Sequence, residues 1–186
     1  MIKLEFWIPI LILLLIFFLI QQQITMKRTK YAIAVFDSKI KGTVLFTQDS
    51  SFKGIKIDIQ LSGLGKNRKR GFHIHQFGDL SDHCTSMCAH FNPDKQHHGG
   101  LDSKIRHAGD LGNVISDENG ECKMTMYAKG IQLTGEKYNI IGRGLIIHED
   151  EDDLGLGGKE DSLTTGHAGK RSACAVIGIS KLNQPC

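Results

Sequence analysis

The chain has 186 residues, with 23 Lys and Arg against 20 Asp and Glu, a formal net charge of +3, and 21 glycines. A charge this small leaves no electrostatic footprint for nucleic acid, and no phosphate-binding loop, dinucleotide fingerprint or internal repeat is present. Five cysteines leave at least one unpaired within a monomer, so their count fixes no redox compartment.

From Phe6 to Met26 there is no charged residue, and Phe6 to Ile20 is almost wholly Ile, Leu and Phe. A helix of about 20 apolar residues is what a bilayer requires, so residues 6–26 read either as a membrane anchor or as a cleaved secretory signal. Gln21-Gln22-Gln23-Ile24-Thr25 lacks small residues at the usual cleavage offset. The first A-x-A pattern, Ala32-Ile33-Ala34, falls inside the first predicted strand, which favours an uncleaved anchor. Lys27, Arg28 and Lys30 outweigh Lys3, a bias that holds the following domain on the cytoplasmic side. The expected organisation is a hydrophobic signal-anchor or signal segment with a basic flank over 1–30, and one domain over 31–186, long enough for a single core. The location expected is membrane-anchored or secreted, on a side that the sequence leaves open.

Beyond the basic flank, short alternating runs are separated by turn residues. They predict strands at Tyr31–Phe36, Thr43–Thr47, Gly54–Leu61, Phe72–Gln76, Leu111–Ile115, Cys122–Tyr127, Ile140–His148 and Cys174–Ile179. Eight such strands read as an all-β, antiparallel sandwich or flattened barrel. The basic run Lys66-Asn67-Arg68-Lys69-Arg70 reads as a solvated turn. Gln76–Asp110 and Glu149–Arg171 are too long for hairpin turns, and loops of that size in a compact domain are usually functional.

Seven of the nine histidines lie between Gly71 and Asp110. His73 and His75 are two apart in Gly71-Phe72-His73-Ile74-His75, so on a strand both imidazoles point the same way. A solvent-facing polar side would explain that pair alone. It does not explain His90, His98, His107 and Asp110, which follow among Gly, Asn and Pro. Imidazole suits zinc and copper, and one carboxylate beside three imidazoles makes a closed zinc site.

Seven segments then carry a resemblance: GFHIHQFGD at 71–79, CTS and AHFNP at 84–93, HHGG at 97–100, RHAGDLGN at 106–113, IIGRGLIIHE at 140–149, DDLGLGG at 152–158 and GKRSACAVIGI at 169–179. In order and spacing they resemble the Cu,Zn superoxide dismutase family, from about Tyr31 to Ile179. The resemblance implies an eight-stranded Greek-key fold with two long functional loops. It implies one copper on His73, His75, His90 and His148, and one zinc on His90, His98, His107 and Asp110. His90 is then the shared ligand, released and reprotonated in the cycle so that it supplies a proton. Asp152 would link a copper histidine to a zinc histidine, Arg171 would attract and orient the anion, and Thr165 would narrow the channel. A Cys84–Cys174 disulfide is implied too, as is a homodimer through Phe77, Gly78, Ile141, Gly142, Val176 and Ile179. The implied reaction disproportionates two superoxide radicals to oxygen and hydrogen peroxide by ping-pong redox cycling of copper, and a copper chaperone is among the partners it allows.

Several residues depart from that pattern or fall outside it. Asp150 and Thr164 stand where the family's vertebrate members have lysines, and Lys170 is an added cation. His83, His97 and His167 match no ligand and are expected on the surface. Cys88, Cys122 and Cys186 match nothing, and Cys88 lies near enough to Cys84 to compete for its partner. The competing reading is a non-catalytic copper- or zinc-binding, metallochaperone-like domain on the same fold. A third, a membrane-tethered interaction domain, has only the apolar N-terminus in its favour.

Overall fold

A computed structural model describes residues 7–49 and 52–183, with the side chains of 22–28 outside the description. Lys3 and Cys186 therefore lie outside the described residues. The first element is a helix, α1 (Trp7–Arg28), 22 residues long. Its apolar side chains from Trp7 to Ile20 are all exposed. Among the described residues no helix is long and apolar enough to cross a membrane.

One residue after α1, the chain enters β1 (Lys30–Asp37), followed by β2 (Lys41–Gln48), β3 (Ile55–Ser62), β4 (Lys69–His75), β5 (Asp110–Ile115), β6 (Cys122–Ala128), β7 (Gly144–His148), β8 (Arg171–Val176) and β9 (Gly178–Ile179). A single helical turn, α2 (Ser162–Thr165), interrupts the connection from β7 to β8. The strands form a five-stranded sheet, β6-β3-β2-β1-β9, and a four-stranded sheet, β5-β4-β7-β8. Every strand pair is antiparallel.

Period-two alternation explains the core. Ala32, Ala34 and Phe36 of β1, Val44 and Phe46 of β2, and Ile55, Ile57, Ile59 and Leu61 of β3 point inward and are buried, while their neighbours face outward. The four-stranded sheet behaves differently. In β4, Phe72 and Ile74 enter the core cluster, and His73 and His75 on the opposite face are buried as well. All five residues of β7 are buried too. A strand buried on both faces needs a cover on each, and here the two long connections supply the outer one.

Three predicted strands differ from those found. The one predicted at Phe72–Gln76 is β4, which starts at Lys69, so Lys69 and Arg70 of the basic run are strand residues rather than a solvated turn, and Arg70 donates to the carbonyls of Leu64, His148 and Glu149. The last one, Cys174–Ile179, is two: β8 belongs to the four-stranded sheet and β9 to the five-stranded sheet, with Ile177 fully buried at the crossing. The described residues thus hold nine strands rather than eight, because one short apolar run serves both layers. The predicted strand Ile140–His148 begins only at Gly144. Ile140–Arg143 is a turn in which the Arg143 amide donates to the Ile140 carbonyl at 3.1 Å and Gly142 takes a φ of +80°.

Candidate metal centre

β4 delivers His73 and His75, β7 delivers His148 at its last residue, and the long connection from β4 to β5 brings back His90, His98, His107 and Asp110. A bridge between His75 and His90 lays that loop along the end of β4. All seven side chains are buried.

Two groups form. In the first, ligand atoms of His73, His75, His90 and His148 lie within 4.8 Å of one another. In the second, Asp110 Oδ1 stands 2.9 Å from His90 Nδ1, 3.0 Å from His98 Nδ1 and 3.2 Å from His107 Nδ1. His73 also falls within ligand reach of His90, His98 and Asp110. His73 has one nitrogen to offer, since its Nε2 is held by Asp152 at 2.8 Å, and its Nδ1 goes with the first group. His107, whose Nδ1 is 3.4 Å from that of His90, completes the second.

Hydrogen bonds decide which nitrogen of each ring carries a lone pair. A carboxylate or carbonyl oxygen only accepts, so the ring nitrogen facing it must be the protonated one. His73 Nε2 donates to Asp152 Oδ2 at 2.8 Å, His75 Nδ1 to the Cys88 carbonyl at 2.8 Å, and His148 Nδ1 to the Gly169 carbonyl at 3.2 Å. Their other nitrogens, His73 Nδ1, His75 Nε2 and His148 Nε2, are buried without a hydrogen-bond partner, as are His90 Nε2 and His98 Nδ1, the last lying 3.0 Å from Asp110 Oδ1 as an ion-pair contact without hydrogen-bond geometry. An unsatisfied buried polar atom costs about 1–3 kcal/mol, and five in one place call for a ligand. Three aligned lone pairs with a fourth from His90 fit a copper ion. By the same rule the three Nδ1 atoms that face Asp110 Oδ1 carry protons, and a zinc ion that displaced them would find three imidazoles and one carboxylate oxygen, a tetrahedral set. His90 faces the second group with Nδ1 and the first with Nε2, so one ring serves both.

The second layer of contacts ties the groups together. Asp152 accepts from His73 through Oδ2 and from His98 Nε2 through Oδ1, both at 2.8 Å. Its backbone is clamped by Asn113, whose Nδ2 donates to the Asp152 carbonyl at 2.9 Å while its Oδ1 accepts from the Asp152 amide at 2.8 Å. Asp110 Oδ2 accepts from the amides of Gly99 and His107, leaving Oδ1 for the three imidazoles. Gly166 closes the site from α2. Its φ is +68°, and a Cβ there would collide with Asp152 Oδ1 and His98 Nε2.

Electrostatics follow the same geometry. Burial pushes the pKa of His73 down to about 3 and that of His148 to about 4, so both are neutral electron-pair donors at neutral pH. Burial lowers His75 and His90 as well. On His98 burial also opposes a charge, but Asp110 and Asp152 on its two nitrogens outweigh it and hold the pKa up at about 9. Asp110 and Asp152 both stay below the usual carboxylate range against the pull of burial, because His107, His90 and His98 surround the first and His73 and His98 hold the second.

Arg171 is paired in register with His148 across β7 and β8. Its Nη1 donates to the Cys84 carbonyl at 2.5 Å and its Nη2 to the Cys88 carbonyl at 2.5 Å. Cys84 and Cys174 form a disulfide with a Cα–Cα distance of 5.6 Å. Cys88 does not compete for it and is a free, exposed thiol, while Cys122 is free and buried. The Cys88 carbonyl thus joins His75 to Arg171. Thr165 is exposed on α2, with its hydroxyl donating to Asp161 Oδ2 at 3.0 Å. Asp150 faces Arg68 at 3.8 Å and the Thr164 hydroxyl donates to the Asp161 carbonyl. His83, His97 and His167 are exposed, and His167 pairs with Asp161 at 2.7 Å.

Sequence reasoning passed over Asn113, Gly166 and Arg106. Arg106 Nη1 donates to the carbonyls of His107, Ala108 and Asp110, which holds the zinc-facing loop in shape. All three act through backbone groups, which no spacing of side-chain types reveals.

Fold and site together define a class: an all-β sandwich carrying two adjacent metal pockets that share one imidazole. Residues 40–177 match the family model described as copper/zinc superoxide dismutase (SODC). The superoxide dismutase [Cu-Zn] of Paramecium bursaria Chlorella virus 1 is 58% identical over 152 residues, covering 82% of this chain and 80% of that protein. The extracellular superoxide dismutase [Cu-Zn] of Drosophila melanogaster is 52% identical over 77% of this chain and 78% of its own length. Among solved structures, one titled as the clock protein EA4 superimposes with a TM-score of 0.78 at 41% identity, over 82% of this chain and 96% of that one. The chain belongs to the copper/zinc superoxide dismutase family.

Proposed function

We propose that the chain disproportionates superoxide to oxygen and hydrogen peroxide, with copper on His73, His75, His90 and His148 and zinc on His90, His98, His107 and Asp110. The observation that carries this reading is the set of five buried, partnerless ring nitrogens directed into two pockets that meet at His90. When bound, copper supplies a one-electron couple and zinc a fixed positive charge.

The chain's own residues do the rest. Arg171, held by two carbonyls on the strand beside His148, keeps its charge at any working pH and draws a small anion toward the open side of the copper pocket. Thr165 narrows the approach. His90 Nε2 takes up and gives back a proton within the cycle, and the Asp110 contact holds the ring in line while it does so. Asp152 keeps His73 and His98 in register, so that the two pockets respond together. Retention of Arg171 and of both complete pockets supports catalysis over a metal-buffering role. The test is metal content together with superoxide turnover of the purified protein. It should hold one copper and one zinc per chain and turn over superoxide, and His75→Ala should lose copper and activity together. A protein that bound both metals and left superoxide untouched would contradict the proposal.

A homodimer is proposed at the patch where Phe77, Gly78, Ile141, Gly142, Val176 and Ile179 meet. A Cβ on Gly78 would collide with the Gly142 carbonyl and press on Val176, so the two loops touch, and Phe77 and Ile179 are 49% and 74% exposed beside them.

Residues 1–30 are proposed to be an uncleaved anchor and 31–186 the catalytic domain. Described side chains end the apolar run at Ile20, but the uncharged sequence continues to Met26, and the uncharged part of the 22-residue helix, all but Lys27 and Arg28, measures about 30 Å at about 1.5 Å per residue, the thickness of a hydrocarbon core. N-terminal sequencing of the native protein tests this: it should begin upstream of Phe6, and a start between Gln21 and Lys30 would make the segment a cleaved signal.

A further inference from the structure

We propose that the pole of the barrel from which α1 departs is a docking face for an anionic lipid surface, so that the domain lies against the membrane that anchors it. The proposal rests on reading residues 6–26 as that anchor, and its source is the strand register. Lys30 opens β1 opposite Gln48, the last residue of β2. Thr47 pairs with Lys56, and Lys56 pairs in turn with Tyr127. Lys53 lies in the connection between β2 and β3, and Lys129 follows the last residue of β6. On the other side Ala32 pairs with Ile179, and Asn183 closes on Tyr31 through both its amide nitrogen and oxygen, which brings Lys181 to the same end. Five lysines therefore share one rim.

Asp49 and Asp58 are the carboxylates that strand register sets beside them, and the connection after Lys129, tied to Gln48 by the Leu133 amide, adds Glu136 and the Lys137–Asp94 ion pair. Asp58 is held by Lys56 at 2.9 Å and by the Thr125 hydroxyl. Lys30, Lys53, Lys129 and Lys181 make no ion pair among the described residues and are all exposed. The net charge of the whole chain is only +3, so an excess of this size at one pole leaves the remaining surface near neutral. That asymmetry is what a polyanionic plane would select.

Apolar groups mark the same rim. Phe52 and Tyr127 pack edge to face at 5.3 Å, Tyr127 is 54% exposed and Leu182 is 57% exposed. Lysines interleaved with aromatic rings are the composition of a headgroup-level contact, in which rings sit at the interface and ammonium groups meet lipid phosphates and carboxylates. Only Thr29 separates the end of α1 from Lys30, and the sequence just before it reads Lys27-Arg28. Each cation near an anionic leaflet adds to the attraction, and together they give a gain in partition of at least about tenfold. The face and the helix thus form one continuous contact, with too short a link to let the domain turn away.

The test uses the full chain and the β domain alone. That domain stands as a whole protein in the solved relative, 96% of which it covers. Residues 30–186 are sedimented with phosphatidylcholine vesicles with and without phosphatidylserine, beside a variant carrying Lys30→Glu, Lys53→Glu, Lys129→Glu and Lys181→Glu. The expected result is at least about tenfold more binding to the anionic vesicles at low salt, lost in the variant, whose metal content and superoxide turnover stay at the parent level. Equal binding to both vesicles, or binding that survives in the variant, overturns the docking face. Retention on heparin without vesicle binding gives the face to a sulfated polysaccharide and equally overturns it. The anchor is judged separately, by partition of the full chain into neutral vesicles: failure there while residues 30–186 still bind anionic ones removes the anchor and keeps the face.

Discussion

His73, His75, His98 and His148 are aimed by what their second nitrogens touch, and the consequences are measurable one residue at a time. Arg171 touches neither pocket directly but sits opposite His148 on the neighbouring strand. Arg171→Ala should keep copper and zinc and lower turnover on the order of tenfold, with most of the dependence on ionic strength removed. Turnover equal to the parent at low salt would take Arg171 out of the mechanism. The histidines also set a pH window for chelator-treated protein. His73 and His148 have folded pKa values of about 3 and about 4, below the ordinary 6.5. The stability they contribute is thus complete above about pH 6.5 and is lost as pH falls toward 4 and then 3. His98 is raised to about 9, so its contribution is complete below about pH 6.5 and is lost as pH rises through 9. The midpoint of thermal unfolding should therefore pass through a maximum between these limits; a midpoint that stayed flat on both sides would show that the imidazoles are not buried as described.

At the scale of elements, the centre depends on two strands that are covered on both faces. His73 and His75 were legible in the sequence because period two forces neighbours at i and i+2 to one side, and the loop ligands were legible through their resemblance to a family motif. What could not be read was which nitrogen each ring offers, since that depends on the carbonyls of Cys88 and Gly169 and on Asp152, none of which is near in sequence. The split of the last strand was hidden for a related reason: Val176 and Gly178 have the same apolar surroundings in sequence, and only the two-layer packing assigns them to different sheets. One packing feature here has a clear test. Met87 is fully buried against Gly144, the first residue of β7, where a Cβ would collide with the Met87 Sδ and the Phe77 carbonyl. Gly144→Val should destabilise the protein by about 1–3 kcal/mol, and Met87→Ala in the same chain should recover part of that loss. Additive penalties in a double-mutant cycle would mean that the two positions do not share space.

On the scale of the whole molecule, the metal centre lies outside the four-stranded sheet, and two further faces carry the tasks proposed for them, pairing at the apolar patch around Ile179 and docking at the basic rim where the helix joins. A charge in the middle of a self-complementary patch meets its own copy across a two-fold axis. Ile179→Lys should accordingly shift the protein from dimer to monomer in sedimentation while both metals remain bound. A parent protein that sediments as a monomer would remove the patch from the account.

The central claim is that one imidazole, His90, lies between two cations and serves both. Anomalous diffraction from the metal-loaded protein, collected at the copper and zinc absorption edges, tests it most directly. If both metals load as proposed, the account predicts a copper peak on the Nε2 side of His90 among His73, His75 and His148, and a zinc peak on its Nδ1 side among His98, His107 and Asp110. Two metals with no ring in common, or a single peak on one side of residue 90, would contradict it.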